Sequence, residues 1–130
     1  MRILFCGDRN WTNYKVICDV MAEFYPDLVI EGEANGADRI SREVAEEFGI
    51  QVLRFPADWE KYGRAAGPIR NTQMLNEGNP DMVVAFHDDI MASKGTKNMV
   101  NQALQRGLEV RIYTLSGRET IYQAAGRLCL

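Results

Sequence analysis

The chain has 130 residues, 46% hydrophobic and 25% charged, with a formal net charge of -3. That is the size and composition of one folded domain, residues 1–130, which excludes a disordered segment. No apolar run approaches the roughly 20 residues of a membrane helix, and the mild acidity disfavours duplex DNA while leaving room for a local basic site.

The chain alternates strand and helix. Met1 to Gly7 has too short an apolar core for a signal peptide and reads as a first strand, Arg2 to Cys6. Ile17, Val20, Met21 and Phe24 recur at helical spacing, with Thr12 or Asn13 as the cap and Pro26 past the end. Leu28-Val29-Ile30 is a second buried strand closed by Gly32. Ile40, Val44, Ala45 and Phe48 mark a second helix, with Gly49 suited to its end. Gln51 to Phe55 is a third strand. Pro56 to Gly67 reads as a long mixed loop, after which Pro68 opens a helix to about Asn76. Met82 to Phe86 is a fourth strand, Met99, Val100, Ala103 and Leu104 a further helical stripe, and Glu109 to Thr114 a fifth strand. The tail from Ser116 to Leu130 is ambiguous and reads as a short helix.

About five apolar strands separated by helices predict an α/β, Rossmann-like parallel sheet covered on both faces. Ligands of such sheets bind at the carboxyl ends of the strands. Cys6, Cys18 and Cys129 are odd in number and form no CxxC pair, so reduced thiols in a cytoplasmic protein are the simple expectation. The one histidine, His87, excludes a multi-histidine metal site and reads as a plain strand-end residue.

The loops after the strands carry the chemistry. Gly7-Asp8-Arg9-Asn10-Trp11 lacks GxGxxG, yet an Arg and a Trp behind one Gly can hold a phosphate and stack a base; a tight turn with a packed Trp is the even alternative. Gly32-Glu33-Ala34-Asn35-Gly36-Ala37-Asp38 runs into a helix, where small residues and free amides favour an anion. The plainer alternative makes Asp38 only an N-cap. The third segment mixes Trp59 and Tyr62 with Lys61, Arg64 and Arg70, and Arg70-Asn71 lie in a first helical turn. An Arg there can fork onto phosphate, or simply pair with Asp58 or Glu60. Ser93-Lys94-Gly95-Thr96 opens a helix with hydroxyls and amides, without a Walker A pattern. Asp88 and Asp89 offer oxygen ligands of the kind that hold magnesium through water, although adjacent loop acids are more commonly just solvated.

In order, these motifs resemble the SLOG superfamily of Rossmann-like domains, and within it the YspA-like, YpsA-related branch. The resemblance runs from Gly7 to about Val110. It rests on Gly7-x-Arg9-x-Trp11, Gly32-x-Ala34-x-Gly36-Ala37-Asp38, Ala57-Asp58-Trp59 with Tyr62-Gly63-Arg64, Ala66 to Asn71 with Met74, and Gly95-Thr96 with Met99-Val100. It implies a nucleotide-like ligand and a homodimer paired through helices. More distant is the likeness to the LOG phosphoribohydrolases, which cleave the base from a nucleoside 5′-monophosphate. Arg70-Asn71 and Gly95-Thr96 fall at matching places, but Met99 stands where that family keeps its glutamate. The carboxylate that would stabilise an oxocarbenium-like state is therefore elsewhere, and Glu33 or Asp38 would have to reach the sugar. The DNA-processing protein A family, which binds single-stranded DNA, shares the glycine turn and the Arg-Asn pair, and Trp11, Trp59 and Tyr62 can stack bases.

The expectation is a protein that binds a nucleotide or nucleotide-derived ligand as sensor, carrier or processing protein. Phosphoribohydrolase and single-stranded nucleic-acid module are the alternatives. The candidate binding residues are Gly7, Arg9, Trp11, Gly32, Ala34, Gly36, Asp38, Trp59, Arg64, Arg70, Asn71, Ser93, Gly95 and Thr96. No catalytic residue and no metal ligand is assigned among them, and membrane partners are not expected.

Overall fold

The computed structural model describes residues 1–123. Its centre is a six-stranded sheet of order β3-β2-β1-β4-β5-β6. The strands are β1 (Arg2–Gly7), β2 (Leu28–Glu31), β3 (Gln51–Arg54), β4 (Met82–Phe86), β5 (Glu109–Tyr113) and β6 (Glu119–Tyr122). The first five pair in parallel, for example Phe5 beside Val84, and β6 lies antiparallel on β5 with Tyr122 beside Val110. This is the expected α/β, Rossmann-like arrangement with one strand more. The helices are α1 (Tyr14–Phe24), α2 (Ala37–Glu47), α3 (Trp59–Tyr62), α4 (Ala66–Gln73) and α5 (Gly95–Gln105).

The apolar strands are continuous rather than alternating because both sheet faces are covered. Ile3, Phe5, Val29, Val84 and Phe86 face one core with Val16, Ile17, Met21, Ile40 and Val44 of α1 and α2. Leu4, Cys6, Ile30, Val83 and Ala85 face the other with Met74, Met99, Val100 and Ala103. Phe5, Phe86 and Tyr113 stack in a row, with ring centroids 6.0 and 5.6 Å apart. Trp11 leans on Phe86 at 5.6 Å. Each large side chain removed from water here contributes about 1.5–3 kcal/mol.

Local signals explain most boundaries. Asn13 caps α1 by accepting the Val16 amide at 3.3 Å, and Tyr25 ends it in the left-handed region ahead of Pro26. The segment read as a loop is partly helical: Asp58 caps α3 by accepting the Lys61 amide at 3.0 Å, and residues 63–65 form a 3-10 turn. α4 then starts at Ala66, two residues before Pro68, which a first turn tolerates because those amides have no intrahelical partner. Residues 74–78 close it as a π turn. The tail read as helical is strand β6 over Glu119–Tyr122, because its backbone completes the open edge of β5. The rest of that expected helix, with Cys129, lies outside the described residues; among the described residues Cys6 and Cys18 are free thiols. Among the described residues no helix is long and apolar enough to cross a membrane.

Candidate functional site

The loop after β1 folds onto the start of α2. The Ala37 amide donates to the Asp8 carbonyl at 3.1 Å. Gly36 makes that approach feasible, since a Cβ there would stand 2.3 Å from the Asp8 oxygen, and its φ is +75°. Gly7 is required for a similar reason, as its Cβ would meet the Phe86 carbonyl at 2.3 Å. Trp11 is 2% exposed and its indole N–H donates to the Asn13 carbonyl at 2.9 Å, so the ring belongs to the core. Arg9 projects from the same loop, exposed and with no ion pair among the described residues.

The turn after β2 is built inside out relative to the sequence expectation. Its amides point inward to buried carboxyl groups. Glu31, fully buried, accepts the Glu33 amide through Oε1 at 2.6 Å. Asp38, 4% exposed, accepts the Ala34 amide at 3.2 Å. The α2 N-cap is therefore Gly36 and not Asp38, whose carboxylate reaches back as the second helical residue to fill the anion position of the turn. Burial pushes Glu31 up to about 9, helped by its neighbour Glu33. Burial pushes Asp38 up to about 6 against the opposing pull of Arg70. Burial raises the nearby Cys6 thiol as well, with Asp38 adding to it.

The carbonyls of the same turn face outward and hold arginines. Arg70 Nη1 donates to the Gly32 carbonyl, and the guanidinium lies so close that a Cβ on Gly32 would meet it at 2.3 Å. Arg39 Nε donates to the Glu33 carbonyl at 3.3 Å. Asn71, 4% exposed, accepts Arg70 Nε at 3.1 Å and donates to the Gly95 carbonyl at 3.3 Å and to Asn98 Oδ1 at 3.1 Å. One hydrogen-bonded chain thus runs from the β2 turn through α4 to the first turn of α5. The surface acids are engaged elsewhere: Glu33 takes Arg42 Nε at 2.6 Å, with Arg54 at 3.9 Å.

Over this turn lies a cleft of about 480 Å³, lined by Gly32, Glu33, Ala34, Arg39, Arg54, Pro56, Ala57, Trp59 and Arg70. Trp59 is 57% exposed, so a ring face is open to a ligand. The fold therefore gathers Gly32, Ala34, Trp59 and Arg70 from the expected set. It places Arg9, Trp11 and Gly36 around a neighbouring cleft and buries Asp38 and Asn71 beneath the surface. Arg64 is exposed and lines neither cleft, and neither do Ser93, Gly95 and Thr96. Ser93 instead caps α5 by accepting the Thr96 amide at 3.1 Å.

Arg39 and Arg54 were not among the expected residues. Their signal was positional: Arg39 sits in the first turn of α2 and Arg54 ends β3, both at the carboxyl edge. His87 accepts the Asp89 amide at 2.9 Å, and Asp88 accepts the Leu115 amide at 2.7 Å. That ties Asp88 into loop structure, and no group of three or more metal-binding side chains assembles among the described residues.

Residues 1–62 match the YspA, cpYpsA-related SLOG family. The chain is also 32% identical over 119 residues to the Gene 61 protein of Mycobacterium phage D29, covering 84% of this chain and 93% of that relative. The family match contains both glycine turns and Trp59, and the phage relative extends the likeness to 84% of the chain: the chain belongs to the YspA, cpYpsA-related SLOG family.

Proposed function

We propose that the protein binds a nucleotide or nucleotide-derived small molecule in the cleft over the Gly32–Ala34 turn. One observation carries this. Arg39 and Arg70 are positioned by backbone carbonyls rather than by carboxylates, and both line the cleft that Trp59 borders. A guanidinium held by a neutral group keeps its charge for an anion and can fork onto phosphate oxygens. Trp59 offers a flat apolar face for a base. Asn71 acts through Arg70 by fixing its Nε. The family assignment supports this class of ligand.

Binding is favoured over base hydrolysis. Met99, at the place of the hydrolases' glutamate, is 1% exposed in the core. Glu33 is paired with Arg42, and Asp38 is turned inward onto amides. Titration calorimetry against the four 5′-mononucleotides tests the proposal. At least one should bind, and Arg70→Ala should weaken it by about 1–3 kcal/mol, the worth of a charged hydrogen bond. Absence of binding across the panel, or unchanged affinity in the variant, overturns the assignment. Chromatography of the same mixtures should show no free base, and release of base would restore the hydrolase alternative.

A further inference from the structure

We infer that the site continues across Arg39 into a second cleft, and that its ligand has two nucleoside-sized arms joined by a phosphoric anhydride, as in a dinucleoside diphosphate. This rests on the assignment of the Trp59 cleft as a nucleotide site.

The second cleft, about 470 Å³, lies between the β1 loop and α2 and is lined by Arg9, Thr12, Tyr14, Gly36, Arg39 and Glu43 among others. Both clefts fall in the range that holds a small-molecule group, roughly 300–1,000 Å³. Arg39 is the one residue that lines both. Ala34 lines one and Gly36 the other, so the turn between them, beside Arg39, forms the crest that separates the clefts. A ligand seated in the first cleft needs to cross only that crest to enter the second.

The charges favour an anionic linker at the crest. Arg39 spends Nε on the Glu33 carbonyl, and its terminal Nη groups have no hydrogen-bond partner among the described residues. Those two groups are the fork that grips adjacent phosphate oxygens. Arg9 lines the second cleft and makes no ion pair among the described residues, and Arg70 lines the first. The acid of the second cleft, Glu43, is engaged by the Tyr14 hydroxyl. Three arginines without carboxylate ion pairs therefore line the two clefts, with Arg39 shared between them, which suits a compact anion of two charges. A polynucleotide spreads single charges along a longer track and would call for cations beyond both clefts.

The test compares the four 5′-mononucleotides with their symmetric dinucleoside diphosphates by calorimetry. For the preferred base, the two-armed ligand should bind at least about tenfold tighter, the gain expected when a second contact becomes intramolecular. Arg9→Ala, an exposed position whose side chain makes no ion pair, should abolish that gain and leave the mononucleotide within about twofold. Equal affinity of the two ligand classes, or an Arg9→Ala variant that weakens both alike, overturns the two-armed ligand and leaves the nucleotide site standing. Tighter, salt-dependent binding of a short oligothymidylate would assign the crest to a single strand instead and overturn it too. If no ligand of either class binds, the nucleotide site itself falls.

Discussion

Replacing Asp38 by Asn probes the buried floor of the cleft and has an unusual sign. Asp38 is 4% exposed, and burial lifts its carboxyl from the ordinary 3.8 to about 6, with Arg70 and the Ala34 and Gly32 amides opposing. The folded chain therefore binds this proton more tightly than the unfolded chain. At about 1.36 kcal/mol per pH unit, its ionisation costs about 3 kcal/mol of stability. The stabilising contribution is full below about pH 4 and is lost as pH rises through about 6. Asn keeps the shape and does not titrate, but its –NH2 replaces one of the two acceptor oxygens beneath the turn amides, at a cost of about 1–2 kcal/mol. Glu31 titrates in both proteins, so most of its contribution cancels, and the difference reports the loss of the Asp38 charge together with its upward push on Glu31. Urea unfolding followed by tryptophan emission should show the variant weaker by about 1–2 kcal/mol near about pH 4.5. That deficit should shrink or reverse near about pH 7.5, where the wild type carries the buried charge. A deficit that stays constant or grows with pH refutes the buried-carboxyl account.

Two further predictions separate packing from ligand contact. Gly36→Ala forces a Cβ to within 2.5 Å of the Asp8 and Arg9 backbone at φ +75°, whereas Gly95→Ala enters open space. Thermal unfolding should therefore show a loss of more than about 2 kcal/mol for the first and a change within about 0.5 kcal/mol for the second. Comparable losses for the two would contradict the close approach of the β1 loop to α2. Trp11→Ala should cost about 3–5 kcal/mol, the penalty of emptying a core aromatic site, while Trp59→Ala should leave stability nearly unchanged and reduce nucleotide affinity. A fully stable Trp11→Ala protein, or a Trp59→Ala protein that binds as before, would reverse those roles.

The sequence alone determined where chain is buried. Apolar periodicity located β1, β2, β4 and β5 and the inward faces of α1, α2 and α5, because burial of a face is a local, repeating demand on residue type. From that alternation the sheet followed, and with it the loops at its carboxyl edge. The glycines of those loops were also legible, and close backbone approach now explains Gly7 and Gly36. Tertiary structure alone decided where the polar groups point. The Gly32–Ala34 turn looked like an anion cradle until Glu31 and Asp38 were found to occupy its amides from below. Trp11 and Trp59 looked interchangeable as base platforms, yet Phe86 covers one and solvent reaches the other. Arg39 gained its place only when two clefts met on it. Strand β6 was missed because pairing with β5, not its own exposed residues, makes it a strand. Each of these is a choice of partner across the fold. Such choices depend on which distant donors and acceptors arrive nearby, and that distance is absent from the order of residues along the chain.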